Sequence, residues 1–250
     1  MIILIDIGNS RTKYTQLSND TLSVTKQVNN QDFCGDYFVE NFAAASEIVV
    51  ANVANSNLTD ALKNWCDLTQ IKFTQVHSEQ KKNQLTSAYQ EPATLGIDRW
   101  LALVAATQLY PKQSVLIIDA GTATTIDFVT GDGQHQGGWI LAGIDALFNS
   151  ILSHSTLVHA KYKTKASLVF GDNTTDNVNN ACWTATLGMI TQGIGQTTKY
   201  GCLDNIVLTG GNGKALSELL LTDKTYDVSE NTNIHYIDNL IFYGLQQYCR

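Results

Sequence analysis

One local pattern, used twice, constrains this chain more than any other feature. The apolar run Ile2–Ile5 is closed by Asp6, and Gly8-Asn9-Ser10 follows at once. Far downstream, Ser114–Ile118 ("SVLII") is closed by Asp119 and followed by Gly121 and Thr122. The two aspartates lie 113 positions apart (119 minus 6), too far for a solenoid repeat and suited to a duplicated half. A water-excluding run of this length predicts a buried strand, and Gly-Asn-Ser predicts a turn at its end. Lys13–Leu17 is then the hairpin partner of the first strand.

The rest of the chain supports two α/β halves. Glu47–Val53 ("EIVVANV") predicts another buried strand, and Asn57–Trp65 and Gly96–Tyr110 predict helices. In the second of these, Ile97, Trp100, Leu101 and Val104 recur at helical spacing, and Pro111 stops the helix. "NIVLTGGNGKALSELL" predicts a strand at Asn205–Thr209, the glycine loop Gly210–Gly213, and a helix from Lys214. A boundary near Pro111–Gln113 gives domains 1–112 and 113–250.

Composition narrows the function. The net charge is −7, and the largest Lys/Arg cluster is Lys81-Lys82, which argues against a nucleic-acid partner. No apolar stretch approaches the ~20 residues that cross a bilayer, so no membrane partner is expected. The five cysteines form no CxxC pair, and reduced thiols in the cytoplasm are the simplest expectation. The five histidines show no HxxxH spacing, and no structural zinc is expected.

The repeated loop suits phosphate chemistry. Glycine lets backbone amides approach and point at a phosphate, Ser10 or Thr122 can add hydroxyl donors, and an aspartate can hold Mg²⁺. Neither GxxxxGK followed by Ser or Thr nor GxGxxG is present, which disfavours P-loop and dinucleotide-binding sites.

The motifs "DIGNSRTK", "GIDRW", "DAGTATTID" and "GGWILAG", in this order, resemble the type III pantothenate kinases of the acetate kinase, sugar kinase, Hsp70 and actin superfamily. The resemblance spans essentially the whole chain. It implies two ribonuclease-H-like α/β domains facing across a cleft (the actin-like ATPase fold), a homodimer, and phosphorylation of pantothenate by ATP with Mg²⁺, the first step toward coenzyme A. It implies that Asp6, Ile7, Gly8, Asn9, Ser10, Arg11, Thr12 and Lys13 form the first ATP loop, with Asp6 positioning Mg·ATP, and that Thr122 supplies a second phosphate contact. It implies Asp119 as the carboxylate for a monovalent cation, potassium or ammonium. Gly96, Ile97, Asp98 and Arg99 match the pantothenate-binding segment, with Asp98 as general base. Tyr89 and Thr174 match outlying pantothenate contacts, and Thr175 is an adjacent rival for Thr174. The family pattern GGxIxPG is broken by Ala142, where proline is usual; no chemical group is lost.

Simpler explanations stand beside these roles. An acid in the first turn of a helix, as Asp98 is, is stabilised by the macrodipole without any function. Arg99 fits a bidentate carboxylate contact and equally a surface ion pair. Asp119 fits a cation ligand and equally an acid satisfied by turn amides. Asp127 reads as hydrogen-bonding scaffold, and Lys13 as a phosphate contact or a solvated hairpin lysine. A kinase of another small alcohol, or a nucleotide-binding regulatory protein without turnover, are the alternative functions. Retention of "GIDRW" favours the enzyme.

Overall fold

The computed structural model describes all residues except 55, 223–228, 230 and 250. It divides into two compact units, Met1–Leu109 with the segment from Asn239 onward, and Tyr110–Asp238.

The first unit holds β1 (Ile2–Ile7), β2 (Arg11–Ser18), β3 (Thr21–Leu22), β4 (Lys26–Asn29), α1 (Gly35–Phe42), β5 (Glu47–Asn52), α2 (Ser56–Thr69), β6 (Lys72–Gln75), β7 (Lys81–Lys82), β8 (Leu85–Thr86) and α3 (Ile97–Leu109). Its main sheet runs β3-β2-β1-β5-β6, with β4 paired to β2. β1 is antiparallel to β2 and parallel to β5. Ile3, Leu4, Ile5 and Ile7 are all wholly buried because β1 is central and covered on both faces. Ile3, Ile5 and Ile7 share one core with Phe38 and Phe42 of α1 and Leu62 and Cys66 of α2. Side chains alternate along a strand, so Leu4 and Asp6 face the other way.

The second unit repeats this plan with β9 (Val115–Ala120), β10 (Ala123–Val129), β11 (His135–Ala142), α4 (Ile144–His154), α5 (Thr174–Thr197), β12 (Asn205–Thr209), α6 (Gly213–Thr222) and β13 (Asn233–Tyr236). Its sheet runs β11-β10-β9-β12-β13. β9 is antiparallel to β10 and parallel to β12, as β1 is to β2 and β5. The duplicated half expected from the two aspartates is therefore a duplicated topology. Leu116, Ile118 and Ala120 pack with Ile144 and Phe148 of α4 and with Trp183 and Leu187 of α5.

The expected boundary needs one correction. The first unit ends at Leu109, and domain 113–250 loses its last segment, which returns to the first unit as α7 (Ile241–Gln246). The reason is burial. Phe242 and Leu245 are almost wholly buried, and Gly244 lies so close to α3 that a Cβ would sit 2.2 Å from the Leu101 carbonyl oxygen. The Trp100 indole N–H also donates to the Tyr248 hydroxyl at 2.8 Å.

Candidate active site

At the end of β1, Asp6 stands directly opposite Lys13 of β2 and is half-buried. The turn between them is tight: the Gly8 N–H donates to the Arg11 carbonyl at 3.0 Å, and a Cβ on Gly8 would lie 3.0 Å from that oxygen. Asn9, Ser10 and Arg11 are exposed, whereas Ile7 and Thr12 are wholly buried. Only the first three therefore present side chains to solvent. Lys13 is not a solvated lysine: its Nζ donates to Asn239 Oδ1 at 3.1 Å. Asn239 sits in the left-handed region (φ 52), where its side chain also donates to Thr25 Oγ1 at 3.3 Å.

A second constellation opens α3. The Asp98 carboxylate, half-buried, accepts from the Arg99 backbone N–H at 2.8 Å. Gly96 makes room for it, since a Cβ there would fall 2.6 Å from Asp98 Oδ1. Arg99 is only 6% exposed, so it is not a surface ion pair. Its Nη1 donates to the Tyr89 hydroxyl at 2.9 Å, and its guanidinium lies 5.7 Å from the Tyr89 ring centre. Tyr89 is itself fixed, because its N–H donates to Ser87 Oγ at 3.1 Å and Ser87 is tied to Gln80. A held guanidinium can bind the anionic end of an alcohol substrate, and a carboxylate on the neighbouring residue at the helix start can accept the proton of its hydroxyl.

In the second unit, three loops meet around Asp119 at the end of β9. Gly121 lies close to it, where a Cβ would be 3.7 Å from Asp119 Oδ1. Gly210, at φ +83, lies closer still, where a Cβ would be 2.4 Å from the same oxygen. The Asn212 N–H donates to the Ala120 carbonyl at 3.0 Å, which draws the α6 N-terminus to this point. The Gly143 N–H donates to the Thr122 carbonyl at 3.1 Å, which brings in the α4 N-terminus. Thr122 itself is exposed. Oriented amides and two helix starts beside an acid suit phosphate with a cation. Asp127 is buried and bonded at 2.9 Å to His135 Nε2, which ties β10 to β11 below these loops.

Thr174 opens α5 after the N-cap Asn173, whose side chain accepts from the Asp176 N–H. Its side chain is exposed, whereas the Thr175 hydroxyl accepts from the Lys161 N–H at 3.3 Å. The Lys163 ammonium and the Asn173 amide bond to Asp176 and hold its carboxyl below the usual range. Among the described residues, no group of three or more His, Cys, Asp and Glu is placed to hold a metal ion. Among the described residues, no helix is long and apolar enough to cross a membrane.

The sequence profile of the type III pantothenate kinases matches residues 2–196. A type III pantothenate kinase of Colwellia psychrerythraea is 64% identical over 248 residues, covering 99% of this chain and 100% of the relative. The chain belongs to the type III pantothenate kinase family. The family expected from the motifs is borne out, and so is the expected α/β fold with two sheet-based domains. Among solved structures, a Campylobacter jejuni protein assigned to the Baf family of transcriptional activators is 26% identical, with a TM-score of 0.57, covering 98% of this chain and 96% of that one. A Sinorhizobium meliloti protein assigned as a 2-dehydro-3-deoxygalactonokinase is 12% identical, with a TM-score of 0.58 and coverage of 98% and 97%. That likeness shows the shared actin-like kinase fold alone.

Within this family frame, the first unit gathers Tyr89, Gly96, Ile97, Asp98 and Arg99, and it carries the Asp6–Lys13 loop. The second unit gathers Asp119 and Thr122, and Thr174 stands apart at the start of α5. Ile97 is buried and serves packing. Sequence reasoning missed Asn30, Asn239 and Ser87, whose side chains bond to the Gly8 carbonyl, the Lys13 ammonium and the Tyr89 N–H. Their only signal was composition typical of turns.

Proposed function

We propose how this chain performs its family's reaction, transfer of the γ-phosphoryl group of ATP to the primary hydroxyl of pantothenate. The observation that carries the reading is the grouping of Asp98, Arg99 and Tyr89, with Gly96 leaving the carboxylate its space. Arg99 pairs with the pantothenate carboxylate, and Tyr89 keeps the guanidinium in one orientation. Asp98 accepts the hydroxyl proton as the new O–P bond forms and the bond from Pγ to the ADP oxygen breaks. Thr174, with its exposed side chain, is the outer pantothenate contact in preference to Thr175.

The Gly8 and Gly121 N–H groups are spent on the Arg11 and Ala123 carbonyls, so the Asn9, Ser10 and Arg11 amides of the first turn and the Thr122 amide of the second receive the phosphates, and Thr122 adds a hydroxyl. A kinase of this family uses ATP with a divalent metal. Asp6 is a hard oxygen ligand at a phosphate loop and fits Mg²⁺, which prefers few protein ligands and neutralises phosphate charge. Asp119, an acid whose Oδ1 has two glycines close by, fits a monovalent cation, potassium or ammonium, which would add positive charge beside the phosphates. We further assign the chain to a homodimer in the cytoplasm; its free cysteines suit a reducing compartment.

The Campylobacter protein's assignment favours a second reading, a nucleotide-binding regulator. The intact Asp98–Arg99 constellation weighs against it here. A coupled assay with ATP, Mg²⁺ and a panel of alcohols tests the choice. Turnover with pantothenate above all others is expected, and turnover with none of them would support the regulator.

A further inference from the structure

Asn30 lies outside every motif that identifies the family, yet its side chain and its backbone N–H all bond to the first phosphate loop. Its side-chain Nδ2 donates to the Gly8 carbonyl at 2.8 Å. Its Oδ1 accepts from the Thr12 hydroxyl at 2.9 Å, and Thr12 is wholly buried. Its backbone N–H donates to the Ser10 carbonyl at 3.1 Å. One residue just beyond β4 thus binds the first, third and last parts of the Gly8–Thr12 turn.

This arrangement fixes more than position. Every peptide bond described in this region is trans, so a carbonyl and the N–H of the next residue point in opposite directions. Turning the Gly8 carbonyl toward Asn30 aims the Asn9 N–H away from it. Turning the Ser10 carbonyl the same way aims the Arg11 N–H away from it. Two amides of an exposed turn are thereby oriented as a set, away from Asn30. That is what an anion site built from backbone needs before the anion arrives.

We propose that Asn30 is a positioning residue for ATP, orienting the loop amides that receive its phosphates. The proposal rests on the reading of Asp6–Lys13 as the ATP loop. Its prediction is a split: without the Asn30 side chain the Gly8–Asn9 peptide loses its fixed orientation, while the backbone bond to Ser10 and the Tyr89–Arg99 grouping are untouched.

The test compares wild type with Asn30→Ala, Asn30→Asp and Gly8→Ala. Asn30→Asp keeps an acceptor for Thr12 and loses the donor to Gly8, at the same side-chain volume, so it serves where the alanine variant folds poorly. Steady-state kinetics, direct MgATP titration and thermal melts are measured on each. The expected result for both Asn30 variants is a KM for ATP and a Kd for MgATP raised about tenfold, as the loss of one or two such bonds gives. The KM for pantothenate stays within about twofold. A purely structural role would instead lower Tm and leave ATP binding unchanged below the melt, and that result overturns the proposal. Gly8→Ala separates the two levels. If it weakens ATP binding while the Asn30 variants do not, the positioning role fails and the loop assignment stands. If Gly8→Ala and the Asn30 variants all bind ATP normally, the loop assignment fails and the proposal with it.

Discussion

Replacing Gly210 with alanine is the sharpest structural perturbation available near Asp119. The residue sits at φ +83, and a Cβ would meet Asp119 Oδ1 at 2.4 Å, the Ala120 carbonyl carbon at 2.7 Å and its oxygen at 2.8 Å. The left-handed backbone costs an L-residue roughly 1–2 kcal/mol. Two of the three colliding atoms are backbone of a central strand and cannot rotate away, so overpacking adds roughly 1–3 kcal/mol. The total, about 2–5 kcal/mol, lowers Tm by roughly 4–20 °C at about 2–4 °C per kcal/mol for a chain of this size. Gly211→Ala is the matched control, because nothing lies within 4 Å of its Cβ position and its φ is not positive. Thermal melts of the two variants side by side are the assay. Gly210→Ala melting within about 2 °C of Gly211→Ala would show that the loop does not press on β9 as described.

Three further outcomes are expected. Tyr89→Phe removes the 2.9 Å bond from Arg99; the pantothenate KM should rise about two- to twelvefold, the reach of a bond worth ~0.5–1.5 kcal/mol, with the ATP KM unchanged, and a parallel rise in both constants would count against the assignment. Sodium in place of potassium at constant ionic strength should lower turnover, and Asp119→Asn should flatten that response; equal rates in sodium, potassium and ammonium would remove the cation role. Sedimentation should find a dimer at assay concentrations, and a fully active monomer would exclude the proposed assembly.

The fold was legible in the sequence where burial is strongest. β1, β5 and β12 are continuous apolar runs because both faces are covered, and the expected strands at Ile2–Ile5, Glu47–Val53 and Asn205–Thr209 fall on them. The first Asp-x-Gly located the β1–β2 hairpin, whereas the β10 strand after the second was not expected as a hairpin partner. α7 was not legible, because it is only six residues long and earns its place through contact with Leu101 rather than through periodicity. β11 was equally hidden: it is a sheet-edge strand whose Trp139 and Ile140 are 40% and 66% exposed, so it lacks alternation. The candidate site shows the same division. Asp6, Asp98 and Asp119 were visible as acids at element ends, and Tyr89 with Arg99 through the family motif. Asn30 and Asn239 were not, since a residue that serves a loop from a distant segment leaves no local pattern.

Phosphorylation of pantothenate by Asp98→Asn tests the central claim most directly. An amide has nearly the shape of the carboxylate, and its oxygen can still accept from the Arg99 N–H at the observed 2.8 Å, so the helix start is preserved. The structural loss is at most the helix-dipole contribution of ~0.3–1 kcal/mol. An amide cannot take the acceptor proton, and loss of a general base costs about 10²–10⁴ in rate. The account predicts a variant that melts nearly as wild type, binds MgATP, and turns over at least about 10²-fold more slowly. A variant that melts normally and keeps turnover within about threefold of wild type, well above the rate left when a base is lost, contradicts it.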